Sequence, residues 1–379
     1  MNKLRILLVV LDDDKFYRGT IDKFNSDDRI ISYPILCVDK KGYKCKIKDT
    51  SGLTVLWNKK MISNRFQKDD YDVVYLFSLD PKQLEIFRYI PIGKKIVWWA
   101  WGFELYETVR GLKPLFQLEL YKSMTRIIEK KSRQSFSYII KSYFWNIVSF
   151  FHYDSIRAKA ISRVNYFQPV FSLEYEMMSS VRGFNAKEFY YPNSYSYQLK
   201  CDLPKNSEGS IFIGNSATYT NNHIDIWESV KDKIPFGRKV YIPINYGDKK
   251  YGNYLTRAIH SDLCDVQFLK EFIPKDQYFK LIDGCSYAIF GVIRQQAMGN
   301  ISYALSRGIK VFLYKDSLVY KQLKKRGFVV YDIESISPDS FTHPLSEDEI
   351  IANSKAIENE KTYRRTVFET VLKELMTNG

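Results

Sequence analysis

YAIFGVIRQQAMGNISYALSRGIKVFLY, residues 287–314, holds a complete strand, helix and strand in one stretch. The apolar run at 287–292 is long enough for a strand buried on both faces. A polar turn follows, then ISYALS with helical spacing, then a second apolar run at 310–314. Two such strands joined through a helix return in parallel, with the helix covering the sheet. The same plan extends outwards in both directions. Upstream come SIFIG (210–214), the helix HIDIWESV, KVYIPI (239–244), the helix YGNYLTRAI, DVQFL (265–269) and the helical DQYFKLID. Downstream come a helix ending near Arg326 and the run FVVYDI (328–333). Repeated βαβ units predict an α/β, doubly wound parallel sheet.

The first half reads as a looser version of the same architecture. Its candidate strands are RILLVV, ISYPILCV, DVVYLFSL and KIVWWAW, followed by NYFQPV and EFYYP. CDLPKNSEGS (201–210), rich in turn formers and charge, reads as a linker between domains. A chain of 379 residues is too long for one ordinary core. The expected organisation is a Rossmann-like domain over 1–200 with a basic aromatic insertion at 112–160, a second over 208–345, and a helical tail over 346–379 that packs back towards the first domain. A cleft between the two domains is part of this expectation.

Composition narrows the function classes. Residues 1–200 hold 33 Lys and Arg against 21 Asp and Glu, whereas the remainder holds 24 against 22. A basic half beside a nearly neutral one suits an anionic partner, either phospholipid or nucleic acid. No RNP, KH or zinc signature supports nucleic acid. Cys37, Cys45, Cys201, Cys264 and Cys285 stand far apart with no CxxC, which suits a reducing compartment. The run Ile6–Leu11 meets Asp12, Asp13 and Asp14 at once, so it reads as a buried strand rather than a signal peptide. No stretch reaches the ~18 apolar residues that span a bilayer. Within the insertion, YIIKSYFWNIVSFF (138–151) mixes aromatics with Lys141, as a segment lying in a membrane interface does; a helix packed on its own domain is the alternative.

Three constellations carry chemistry. Gly214-Asn215-Ser216 closes the first strand of the second domain, and a polar loop leads through Asn221 to His223 at a helix start. Glycine there admits backbone N–H groups to a phosphate, although the same residues also serve as plain turn chemistry. It is neither GxGxxG nor a P-loop, which disfavours an ordinary dehydrogenase or ATPase. Arg294, Gln295, Gln296, Gly299 and Asn300 follow a later strand at the carboxyl edge, where open α/β sheets bind ligands. Arginine clamps a diphosphate, and amides suit sugar hydroxyls. In WWAWGFELYE (98–107), Glu104 and Glu107 follow a strand end, placed for a general base or for sugar hydroxyls; helix-dipole preference is the competing explanation.

Together, WGFELYE (101–107), IGNSATYTNNHI (213–224), IPINY (242–246) and FGVIRQQAMGNISYALSRGIKVFL (290–313) give a family resemblance. The chain resembles the 4-acetamido-4,6-dideoxygalactose transferases of enterobacterial common antigen assembly, the TDP-N-acetylfucosamine:lipid II transferases. The resemblance implies a GT-B fold, a dTDP-sugar donor and a polyprenyl-diphosphate-linked saccharide acceptor at the cytoplasmic face of the bacterial inner membrane. Trp101, Gly102, Tyr106 and Glu107 match the first motif, with Glu104 where an aspartate is usual. Gly214, Asn215, Ser216, Asn221 and His223 match the second, Pro243 and Tyr246 the third, and Arg294, Gln295, Gln296 and Gly299 the fourth. Glu271 also falls where the family is acidic. The 112–160 segment is longer than in the family, which bears on the acceptor.

On this reading the second domain holds the donor, Tyr246 lines the thymine pocket, and Arg294 stabilises the leaving diphosphate. Glu104 is the expected base. Trp101, Gly102, Glu104 and Glu107 contact the acceptor. With no DxD pair on a loop after a strand, neither a metal nor another cofactor is expected. A sugar-nucleotide epimerase or hydrolase of the same architecture and a non-catalytic nucleic-acid-binding protein are the rival functions.

Overall fold

Beyond Arg5, Leu4–Val9 (β1) is apolar on both faces, and its neighbours show why. It pairs in parallel with Ile30–Cys37 (β2) on one side and Val73–Phe77 (β4) on the other, and helices cover the sheet. The computed structural model describes residues 3–133, 144, 152–192 and 205–377. It divides into two units: 1–117 with 139–196 and 361–379, and 118–138 with 197–360.

The first unit is built on a seven-stranded parallel sheet. Thr54–Leu56 (β3), Lys95–Trp99 (β5), Tyr166–Gln168 (β6) and Lys187–Glu188 (β7) complete it in the order β3-β2-β1-β4-β5-β6-β7. Its helices are α1 (Asp14–Asn25), α2 (Lys59–Gln67), α3 (Pro81–Phe87) and the short α4 (Phe103–Tyr106). The three-residue edge strand β3 escapes a sequence reading because a run that short has no detectable period. An aromatic cluster lies within the aliphatic core: Phe24, Tyr75, Phe77 and Trp99 lie together, with Phe77 and Trp99 packed edge to face at 4.9 Å. Edge-to-face contact sets a positive ring edge against a negative ring face.

The second unit carries a six-stranded parallel sheet in the order β10-β9-β8-β11-β12-β13. These strands are β8 (Ser210–Ile213), β9 (Lys239–Pro243), β10 (Asp265–Leu269), β11 (Cys285–Phe290), β12 (Lys310–Leu313) and β13 (Tyr331–Asp332). Chain order runs outwards from β8 on one side and from β11 on the other. The carboxyl edge between β8 and β11 is therefore the topological switch point, where loops diverge and leave a crevice. β13 is shorter than the run FVVYDI suggests. Asn353 accepts the Val329 N–H at 2.7 Å and donates to its carbonyl at 3.3 Å, so a side chain replaces a strand partner there.

After α5 (Ser123–Ser132) the chain resumes with α6 (Asp154–Arg163) and α7 (Ser172–Met178). The second unit's other helices are α8 (His223–Val230), α9 (Lys249–Ala258), α10 (Lys275–Asp283), α11 (Met298–Ser306) and α12 (Leu318–Lys325); α13 (Glu347–Thr377) ends the chain. Two boundaries differ from expectation. Residues 118–138 belong to the second unit and are not an insertion in the first. The cause is α5, whose first turn is capped from α8: the Asp225 carboxylate accepts the N–H groups of Met124 and Thr125 at 2.8 and 2.9 Å. Free N–H groups at a helix start favour an anion, and Asp225 supplies it. In α13, residues to Glu360 count with the second unit, and the rest count with the first. Phe368, Val371, Leu372 and Leu375 join the first unit's core, and Glu369 pairs with Arg29 at 2.7 Å. The segment 138–151 lies outside the described residues except for Phe144, which is exposed. Among the described residues no helix is long and apolar enough to cross a membrane.

Candidate active site

The loop after β8 turns at Gly214, whose φ of +74° favours glycine. A Cβ at Gly214 would also lie 2.4 Å from His223 Nε2. His223 is thus the floor of this loop. It is completely buried, both ring nitrogens lack a hydrogen-bond partner among the described residues, and burial pushes its pKa down to about 3. A neutral ring wedged under Gly214 supports the backbone from beneath. His223, expected among the donor-binding residues, lies beneath the loop rather than on its surface.

Above that floor the loop is polar and ordered. Asn215 Nδ2 donates to the Tyr246 hydroxyl at 2.9 Å, which ties the loop after β8 to the loop after β9. The backbone repeats the tie, with the Ala217 N–H donating to the Tyr246 carbonyl and the Asp248 N–H to the Ala217 carbonyl, both at 2.8 Å. Tyr246 itself is half exposed. Ser216 and Asn221 are buried, and Asn221 Nδ2 donates to the Thr218 hydroxyl at 2.7 Å. Thr220 donates to Gln296 Oε1 at 2.7 Å, and Gln296 Nε2 donates to Thr218 at 3.1 Å. Gln296 follows β11, so the two sides of the switch point are joined by side chains.

The remaining residues of the β11 loop are placed differently. Arg294 is half-buried, and its Nη1 donates to the Gln295 carbonyl at 2.6 Å, which folds the guanidinium back along the loop. Gln295 is buried, with Nε2 lacking a partner among the described residues. Ala297 takes a left-handed φ of +59° and α11 begins at Met298, so Gly299 and Asn300 stand inside its first turn. The Asn300 amide is already engaged, donating to the Tyr278 hydroxyl at 2.8 Å. Glu271 is exposed after β10, on the same carboxyl edge.

In the first unit, Gly102 (φ +85°) starts α4 directly after β5. The turn buries Glu104, whose Oε1 accepts the Trp101 N–H at 3.0 Å and the Trp98 indole N–H at 3.4 Å. Its Oε2 has no partner among the described residues. Burial, reinforced by the nearby Asp80, pushes the Glu104 pKa up to about 7. Such a carboxyl changes protonation near neutrality, where acid and base catalysis work best. Trp101, half-buried, stacks on Phe77 at 5.9 Å and makes a flat wall beside it. Tyr106 points inward and donates to buried Glu174 at 3.0 Å, so it braces the turn. Glu107 closes α4, its N–H donating to the Phe103 carbonyl.

Residues 141–347 match the family model described as 4-alpha-L-fucosyltransferase, glycosyl transferase group 56. The chain belongs to glycosyl transferase group 56. The match covers more than half the chain and includes every second-unit candidate named above. Among solved structures, a glycosyltransferase from Rickettsia africae is 12% identical with a TM-score of 0.60, covering all of both chains. Sucrose-phosphate synthase from Thermosynechococcus elongatus is 7% identical, covering 99% of this chain and 98% of that one, with a TM-score of 0.56. A trehalose 6-phosphate synthase from Burkholderia multivorans is 8% identical over 100% and 98%, also with 0.56. These likenesses show the GT-B fold, with two Rossmann-like domains.

For this group 56 transferase the structure brings Asn215, Ser216, Asn221, Tyr246 and Gln296 together, and Arg294 and Gln295 stand in the same loop as Gln296. Sequence reasoning missed Thr218, Thr220 and Tyr278. Hydroxyls within TYT (218–220) have no spacing that separates them from ordinary turn residues. Tyr278 meets Asn300 only because α10 packs beside α11.

Proposed function

We propose that this glycosyltransferase moves an amino-deoxy sugar, 4-acetamido-4,6-dideoxygalactose, from a dTDP donor to a polyprenyl-diphosphate-linked saccharide in bacterial surface polysaccharide assembly. The observation that carries the donor half is the bonded network at the β8/β11 edge, from Gln296 through Thr218 and Asn215 to Tyr246. Tyr246 faces the thymine ring, and the glutamine amides face sugar hydroxyls. Arg294 and the backbone N–H groups after Gly214 meet the charge that develops on the leaving diphosphate. No metal is needed in this reading, because the arginine and the amides supply the positive potential.

The acceptor half of the proposal rests on the first unit. Glu104 takes the proton lost by the attacking acceptor hydroxyl, a role its pKa of about 7 fits, and Trp101 packs against the acceptor sugar. Gly102 and Glu107 shape the same turn. The excess of basic residues in 1–200 and the aromatic segment 138–151 support a peripheral position on an anionic membrane, at the cytoplasmic face.

Thermal-shift titration tests the donor assignment, since a ligand that binds the folded state raises the melting temperature. dTDP is expected to stabilise the protein more than UDP or GDP, and Arg294→Ala is expected to remove that shift and the transferase activity. An Arg294→Ala protein with full activity would sink the clamp. Turnover of the nucleotide sugar without any lipid acceptor would favour an epimerase or hydrolase instead.

A further inference from the structure

The hydroxyl of Thr218 sits where the donor-site polar groups converge, and counting protons gives its role. A threonine hydroxyl has one proton and two acceptor positions. Both acceptor positions are taken, by Asn221 Nδ2 at 2.7 Å and Gln296 Nε2 at 3.1 Å. The proton must therefore leave towards Ser216 Oγ at 3.1 Å or Thr220 Oγ1 at 3.3 Å. Ser216 passes its own proton on to Asn215 Oδ1 at 3.4 Å, and Asn215 Nδ2 donates to the Tyr246 hydroxyl. Thr220 sends its proton to Gln296 Oε1. With the Thr218 proton on Ser216, the shorter of the two contacts, every bond on the path Gln296, Thr218, Ser216, Asn215, Tyr246 runs in one direction. Such chains polarise one another when shielded from water, and Ser216, Asn215 and Asn221 are buried.

We propose that Thr218 is a positioning residue that couples the Tyr246 side of the donor site to the Gln296 side. The inference rests on the donor-site reading above and adds a residue to it. A donor part that orients Gln296 thereby orients the tyrosine, so nucleoside and sugar diphosphate bind as one unit. Thr218 touches neither part of the donor in this scheme; it acts through its neighbours.

Thr218→Val tests this with little threat to folding. Thr218 is in extended backbone (φ −119°, ψ 140°), which valine adopts readily. Asn221 keeps its bonds to the Ser216 carbonyl and hydroxyl at 3.1 and 3.2 Å, so no buried donor is stranded. Thr218→Val is expected to raise KM for the donor roughly tenfold, the effect of one lost hydrogen bond, with kcat within about threefold. Thr218→Ser restores the hydroxyl and should restore KM to within about threefold. In the wild type, the KM penalties of Tyr246→Phe and Gln296→Ala should fail to multiply, whereas in the Thr218→Val background they should multiply. Penalties that multiply in the wild type, or a Thr218→Val protein with unchanged donor KM, overturn the coupling and leave the donor site standing. A wild-type protein that no nucleoside diphosphate stabilises overturns both.

Discussion

Replacing Glu104 with glutamine removes a proton that the fold holds against its ordinary tendency. In the unfolded chain this carboxyl loses its proton near 4.5, whereas burial keeps it protonated to about 7 in the folded protein. Between those values the native state binds more protons than the unfolded state, so stability falls as pH rises through the window and levels off above it. The gap corresponds to roughly 3 kcal/mol at 1.36 kcal/mol per pH unit. Solvent screening does not reduce it, because Glu104 is only 4% exposed. Glu104→Gln keeps the shape and the acceptor for the Trp101 N–H but has nothing to titrate. Wild type and variant should therefore diverge between pH 4.5 and 8, the variant gaining on the wild type by several degrees at about 2–4 °C per kcal/mol. Differential scanning fluorimetry of both proteins across that range reads the difference directly. Any constant cost of the new amide shifts the whole variant curve and leaves the divergence intact. Parallel curves from pH 4.5 to 8 would refute the raised pKa, and with it the case for Glu104 as a base. If the base assignment holds, kcat/KM of the wild type falls below pH 7 as the carboxyl takes up its proton, and Glu104→Gln loses turnover at every pH.

Two further outcomes follow from the loop and the cap. Gly214→Ala puts a methyl group 2.4 Å from His223 Nε2 at a left-handed φ, so it should cost about 2 kcal/mol or more and abolish stabilisation by dTDP; denaturant unfolding with and without dTDP checks both. Asp225→Ala strips the cap from α5 and should cost about 1–2 kcal/mol, with amide exchange at Met124 and Thr125 accelerating, while protection unchanged there would place the hold on α5 elsewhere.

The fold was legible because parallel strands buried on both faces are written as unbroken apolar runs, and the helices between them repeat at 3.6 residues. DVQFL became β10 over the very residues read, whereas the strands from SIFIG, KVYIPI and KVFLY each stop one residue short of the apolar run. Short edge strands were less legible, since β3 and β7 owe their existence to a neighbouring strand rather than to their own composition. The residues that meet at the β8/β11 carboxyl edge were readable too, because glycine after a strand and an arginine with paired glutamines mark such an edge.

What sequence by itself determined was therefore the class of fold and the order of its elements. These depend on periodicity and chain order, both local properties of the chain. Tertiary structure alone decided which side chains act on one another. His223 became the floor of a loop because Gly214 folds onto it, and Glu104 acquired a pKa of about 7 because the turn after β5 buries it. Thr218 became a junction because β8 and β11, distant along the chain, are neighbours in the sheet. Residues 118–138 joined the second unit because Asp225, about a hundred positions away, caps α5. Burial, capping and proton order arise from groups brought together across the chain, and no local pattern of residue types encodes them.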